Sequence, residues 1–197
     1  MIQLQHEQDQ HEQQTEQVHQ DQVLSDKTQL GDGIRSLRST LLRSRNWTAP
    51  ALERLAPLVC DYVNELRAFD ANPSAGSAED YPFLKTYWSH PTRLALAFGD
   101  ASIHGFVLLF EDPDPGDGEI TMEIREFFVH PQYRRSGAGR GAVKALLRSW
   151  PGSWQLAVLE RNTSALKFWQ SVLSDRSASI SKERGHYYFS IDRPQAR

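Results

Sequence analysis

A single cysteine, Cys60, stands among 197 residues, so no disulfide can close within the chain; such usage suits a reducing compartment. Long apolar runs are missing too. None approaches the ~18 residues of a membrane span, and Met1–His6 lacks the charged and apolar regions of a secretory leader. The expectation is a cytoplasmic protein without membrane contact. An excess of one charge is also absent from the body. Residues 1–30 hold six acids and one lysine, leaving 21 basic and 19 acidic residues in the rest. A body so near neutrality does not call for nucleic acid. His6, His11 and His19 could hold a metal, but their irregular spacing fits a solvated tail better, and no metal is expected.

What is present suffices for one core: 39% hydrophobic residues, with five Trp and nine Phe. Residues 1–33 form a Gln/His-rich tract with ten glutamines and three histidines before residue 31. Its scattered apolar residues cannot offset the entropy of ordering it, so it reads as a disordered tail. A single domain is expected over residues 37–192.

Within that domain Leu41–Ser44 reads as a first strand. Thr48 and Pro50 open a helix over 49–68 whose apolar residues (Leu52, Leu55, Val59, Tyr62, Val63, Leu66) recur every three or four positions. Cys60 lies on that stripe and reads as core. Residues 72–77 read as a loop, and Tyr81–Trp88 as a short helix whose aromatics belong to the core or to a pocket wall. Leu94–Phe98 and Ile103–Phe110 form a hairpin about Gly99-Asp100, followed by a loop over 111–118. Glu119–Val129 is a long strand whose alternation breaks at Phe127-Phe128-Val129, as at a bulge or a strand buried on both faces.

A glycine-rich turn over 134–141 leads into a helix ended by Pro151-Gly152. Then come a strand over 154–159, a helix capped by Asn162 or Thr163, and a strand pair over 177–181 and 187–191. This order predicts an α/β (α+β) sandwich: a mixed, largely antiparallel central sheet with helices on both faces.

The glycine turn is the chemical centre. Bare backbone N–H groups and a helix N-terminus converge there on an anion, and Arg134 and Arg135 stand at its mouth. Gly137-x-Gly139-x-x-Ala142, with Glu160 further on, satisfies the letters of a dinucleotide fingerprint. Yet seven residues, His130 to Ser136, separate the apolar strand from the first glycine, where a dinucleotide turn follows its strand directly. A Walker A loop is excluded, because no Gly-Lys-Ser/Thr ends the turn.

The segment Arg134-x-x-Gly137-x-Gly139 resembles the acyl-coenzyme A signature of the GNAT superfamily of N-acetyltransferases. Asn162-x-x-Ala165-x-x-Phe168-Trp169, after the next strand, resembles that superfamily's second motif. Tyr87-Trp88 and Glu126–Val129 look most like one of its bacterial branches. The resemblance implies acetyl-CoA as acyl donor and a small-molecule or peptide amine as acceptor, with the oligomeric state open and a dimer allowed. It also implies roles. Backbone N–H groups of Arg135, Ser136, Gly137, Ala138, Gly139 and Arg140 would cradle the pyrophosphate, with the two glycines bare so that phosphate can approach. Phe127, Phe128 and Val129 would splay from the next strand to pair with pantetheine. Asn162 would contact the pantetheine arm while capping its helix, and Phe168 would belong to the same wall.

Acyl transfer to an amine needs a base for the amine proton and a proton for the departing sulfur. Glu123 and Glu126 are the candidate bases, each alternatively a solvated residue or a partner of Arg125. Where the superfamily usually has tyrosine, this chain has Trp169, whose indole does not give up its proton. The proton must then come from Tyr187, Tyr188 or water, or the thiolate leaves unprotonated. Three readings therefore stand: an acyl-CoA-dependent N-acetyltransferase, a non-catalytic acyl-CoA-binding module, and a nicotinamide-dependent enzyme. His130 lies beside the turn, His104 in the hairpin and His186 in the closing strand pair, and only His186 is a candidate for the cleft.

Overall fold

The computed structural model describes residues 35–43, 47–69, 81, 84–113 and 119–193. The tail, the loop over 72–77 and the tip of the 111–118 loop lie outside the described residues. The described residues open with a helix, α1 (35–42), where a strand over 41–44 is expected; Leu37 and Leu41, one turn apart, are both fully buried. The first strand comes later, β1 (Trp47–Thr48). Thr48 is thus paired in the sheet rather than capping, and helix α2 (Leu52–Arg67) starts after Ala51 with Pro57 inside it. Cys60 turns out half-exposed, and the amide of Asn64 donates to its sulfur at 3.8 Å. The stripe of α2 is narrower than its apolar letters: Leu55 and Val59 are its buried centre.

Helix α3 is one turn, Thr86–Ser89. The strands β2 (Arg93–Gly99), β3 (Ile103–Pro113) and β4 (Ile120–Val129) follow as a meander. A 3-10 turn at Pro131–Tyr133 leads to α4 (Ala138–Ser149), then β5 (Ser153–Leu159), α5 (Thr163–Val172), β6 (Ala178–Glu183) and β7 (His186–Ile191). The seven strands run in the order β1-β2-β3-β4-β5-β7-β6. Only β4 and β5 are parallel. This is the mixed, largely antiparallel sheet expected, and not the doubly wound parallel sheet that a dinucleotide site requires. Glu160 pairs with Lys182 at the end of β5.

Two apolar clusters sandwich the sheet. Residues of α1, α4 and α5 pack on one face with Leu96, Val107, Leu109, Met122, Ile124 and Phe189. Residues of α2 and α3 pack on the other with Ala97, Phe106, Leu108 and Phe128. The helices thus lie on both faces, each burying its apolar stripe against alternate residues of the strands.

Candidate active site

The site arises from two irregularities in β4. The first is a bulge. Leu109 pairs with Ile124 and Leu108 with Glu126, so Arg125 is an extra residue. The break in alternation at 127–129 is thus the downstream trace of a phase change at 125. Before it, Met122 and Ile124 face the larger cluster; after it, Phe127 and Val129 do, while Phe128 joins the smaller. Residues three apart on a regular strand point to opposite faces. The bulge instead sets Glu123 and Glu126 against the same cavity.

The second irregularity is the end of pairing with β5. The ladder runs from Thr121↔Ser153 to Ile124↔Leu156 and stops. Beyond it Phe127–Val129 pair in the sheet only with β3, and Ala157–Leu159 only with β7, while the Val129 carbonyl accepts from Arg134 Nε and the Leu159 carbonyl from the Asn162 N–H. The two segments do not pair with each other.

Two cavities meet at this fork. One, of about 530 Å³, lies among the end of β4, the glycine turn, the start of α5 and the C-terminal half of α2. Phe127, Phe128, Val129, Arg134, Arg135, Gly137, Gly139, Arg140, Asn162 and Phe168 all line it. Ser136 and Ala138 belong to the turn without lining it: Ser136 Oγ donates to the Tyr133 carbonyl and accepts the Ala138 N–H at 3.3 Å. The second cavity, of about 460 Å³, is lined by Glu123, Glu126, Tyr81, Tyr87, Arg93 and His186 among others. Six residues line both: Tyr62, Leu66, Phe127, Asn162, Ala165 and Trp169. Tyr187 lines neither; its neighbour His186 faces the second cavity, while Tyr187 packs against the larger core beneath the Lys182 ammonium. Tyr188 likewise lines neither cavity and is 39% exposed.

The turn itself is wound by two left-handed residues, Arg135 at φ 60° and Gly137 at φ 89°. The first helical bond of α4 runs from the Gly141 N–H to the Gly137 carbonyl at 2.9 Å. The N–H groups of Gly139 and Arg140 therefore have no intrahelical acceptor, and the positive end of α4 opens on the first cavity. Gly139 is bare for packing: a methyl there would lie 3.0 Å from Val129 Cγ2 and 3.4 Å from the Phe168 ring.

The side chains of the basic residues divide. Arg134 donates from Nε to the Val129 carbonyl at 2.8 Å and from Nη2 to both Glu65 oxygens at 2.7 and 2.6 Å, tying β4 to α2. Arg140 donates to Ser171 Oγ at 2.6 Å, tying α4 to α5. Arg135, which lines the first cavity, has no such partner among the described residues.

Asn162 caps α5, its Oδ1 accepting the Ala165 N–H at 3.0 Å. Trp169 is buried with its ring edge-on to Phe127 (5.4 Å) and Phe168 (5.2 Å). Phe127 also stacks on Phe98 (5.6 Å) and Phe168 (5.8 Å), joining β2 to α5 through the wall of the cleft.

In the second cavity Glu126 accepts two phenolic hydrogen bonds, from Tyr62 to Oε2 and from Tyr81 to Oε1 at 2.5 Å. Burial raises its carboxyl above the ordinary value, while the two hydroxyls and the Arg125 charge draw it back. Burial and then the Glu126 charge hold both phenols well above the usual tyrosine value, and the same causes push Tyr87 up to about 12. Glu123 is raised by burial and lowered by Arg125, whose Nε lies 2.7 Å from its Oε2. Tyr62 and Tyr81 are not legible in the sequence as partners of Glu126, since 64 and 45 positions separate them from it. Among the described residues no cluster of three or more His, Cys, Asp or Glu could hold a metal. His130 and His104 sit by Tyr133 outside both cavities.

Among curated protein sequences none matches this chain. Solved structures share its fold. An acetyltransferase from Thermus thermophilus aligns at 18% identity and TM-score 0.56 over 74% of this chain and 96% of its own. A GNAT-family acetyltransferase from Staphylococcus aureus Mu50 gives 12% and 0.53 over 74% and 98%. A diaminobutyrate acetyltransferase from Paenibacillus lautus, solved with L-2,4-diaminobutyric acid and coenzyme A, gives 16% and 0.50 over 75% and 93%. The family model described as acetyltransferase (GNAT) family matches residues 61–173, from the middle of α2 through both motifs to the end of α5. With that match spanning more than half of its length, the chain belongs to the acetyltransferase (GNAT) family.

Proposed function

We propose that the protein is an N-acetyltransferase that moves an acetyl group from acetyl-CoA to a primary amine of a small molecule or peptide, in the cytoplasm. The observation that carries this reading is the meeting of two cavities at the fork of β4 and β5, one with a helix N-terminus and unpaired strand segments, the other with the half-buried carboxylate of Glu126. The residues fit the coenzyme: unpaired N–H groups of Gly139 and Arg140, the Arg135 guanidinium and the α4 dipole suit a pyrophosphate. The facing segments Phe127–Val129 and Ala157–Leu159 suit the amides of a thin linear arm.

The coenzyme, when bound, supplies an acyl thioester whose sulfur is the leaving group. The remaining work belongs to the chain. Gly137, Gly139 and Arg140 hold the phosphates, and the Phe98–Phe127–Phe168 stack holds the β4 edge rigid. Glu126, half-desolvated and oriented by two tyrosines, takes the amine proton at a carboxylate oxygen. Its pKa, raised by burial, makes it a stronger base than an exposed glutamate. Glu123, paired with Arg125, lines the amine's approach.

The test is release of free thiol from acetyl-CoA with a panel of primary amines, run beside calorimetric titration with acetyl-CoA and with NADH. Thiol release that depends on an amine supports the reading. Binding of acetyl-CoA without release would favour a non-catalytic binding module, the alternative that Trp169 at the usual tyrosine position recommends. Binding of NADH alone would overturn both.

A further inference from the structure

Aminolysis of a thioester inside a cleft puts a negative charge on sulfur, and a low-dielectric wall makes that charge costly unless a proton or a donor meets it. The sulfur of a bound acyl thioester must sit where the coenzyme cavity and the acceptor cavity meet, since the acyl carbon has to be reached from the second while the arm lies in the first. Six residues line both cavities. Leu66, Phe127 and Ala165 offer no acidic proton, Asn162 offers an amide, and Trp169 an indole N–H that does not ionise. The sixth is Tyr62.

We propose that Tyr62 is the proton donor to the departing sulfur, coupled to Glu126 in a two-residue relay. This rests on the reading of Glu126 as the base. Glu126 takes the proton that the amine nitrogen sheds as its lone pair forms the new C–N bond and the C–S bond breaks, its electron pair leaving on sulfur. Tyr62 gives its phenolic proton to that sulfur and takes the proton from Glu126 through the hydrogen bond that already joins them. Both side chains end as they began, and the net transfer is one proton from nitrogen to sulfur. Burial is the larger cause of the raised Tyr62 phenol and persists, but the part due to the Glu126 charge vanishes when Glu126 is protonated, just as the sulfur becomes basic. Tyr81 donates to the other oxygen of Glu126 but lines only the second cavity. Its part is to position the carboxylate.

The test reads contact and rate separately in the full chain. With 3-fluorotyrosine placed at position 62 alone, the ¹⁹F resonance should move on adding CoA and move differently with desulfo-CoA, which lacks the sulfur. The same label at position 81 should respond alike to both. Tyr62→Phe should lower kcat by about a hundredfold, the lower range for loss of one acid–base group, with the affinity for CoA unchanged. A Tyr62 resonance indifferent to the sulfur, or a Tyr62→Phe enzyme with full kcat, overturns the relay even if Glu126→Gln is inactive. Full activity in Glu126→Gln overturns the base assignment and the relay with it.

Discussion

Glu123 and Glu126 stand three positions apart in one strand and face one cavity, because Arg125 has no partner across the ladder. Deleting Arg125 would join the pairs Leu109↔Ile124 and Leu108↔Glu126 into a regular ladder, so Glu123 and Glu126, then two positions apart, should keep their common face. The cost should stay at about 1–3 kcal/mol for the lost local twist and ion pair. Arg125→Ala keeps the bulge and should cost less than about 1 kcal/mol, the ordinary worth of a half-exposed ion pair. Thermal melts of the two proteins decide the matter.

Glu126 predicts two pH effects of opposite sense. Activity should fall as pH drops through its raised pKa, because the base is then protonated, and Glu126→Gln should remove that limb while lowering kcat by about a hundredfold or more. Stability runs the other way. A carboxyl with a folded pKa above its unfolded one holds its proton more tightly when folded. Its contribution is complete below the unfolded value near 4.5 and is lost as pH rises through the folded value. Glu126→Gln should flatten that part of the stability curve, measured by urea melts from acid to neutral pH.

The two glycines of the turn should answer alanine differently. At Gly137 nothing lies within 4 Å of the added methyl, and only its left-handed backbone resists, at about 1 kcal/mol. At Gly139 the methyl presses on Val129 and Phe168. That substitution should loosen the junction of α4, β4 and α5 and weaken CoA binding, and Gly139→Asp should abolish it. Equal CoA titrations for Gly137→Ala and Gly139→Asp would contradict this.

The three arginines of the turn make separable predictions. Arg135→Ala should weaken CoA by roughly tenfold, the scale of one hydrogen bond to a charged group, with unchanged thermal stability. Arg134→Ala should act through the freed C-terminal half of α2, detected as faster amide exchange near Glu65. Arg140→Ala should release Ser171 with little effect on affinity from its side chain.

The glycine turn, the Asn162 cap and the mixed sheet are readable because each rests on local chemistry: letters at fixed offsets, a cap beside its helix, apolar residues at a set period. Leu41-Leu42 points to a strand where α1 stands, because so short an apolar run has no period of its own. Cys60 falls at the edge of a stripe, where one step of about 100° separates buried from half-exposed. The bulge announces itself only after it has happened, since the changed phase shows at Phe127 and the extra residue is Arg125. The Tyr62–Glu126–Tyr81 group leaves no trace in the letters at all: its members come from three distant stretches, and only the packing of α2 over β4 joins them.

The fork between β4 and β5 bears on solubility. A strand edge with unsatisfied N–H and C=O groups invites a neighbouring molecule to add its own strand, the first step toward aggregation. Besides the outer strands β1 and β6, two such edges lie within the sheet, looking inward at each other beneath α2 and α5. A slender chain of atoms can slip between them, whereas the sheet of another protein cannot.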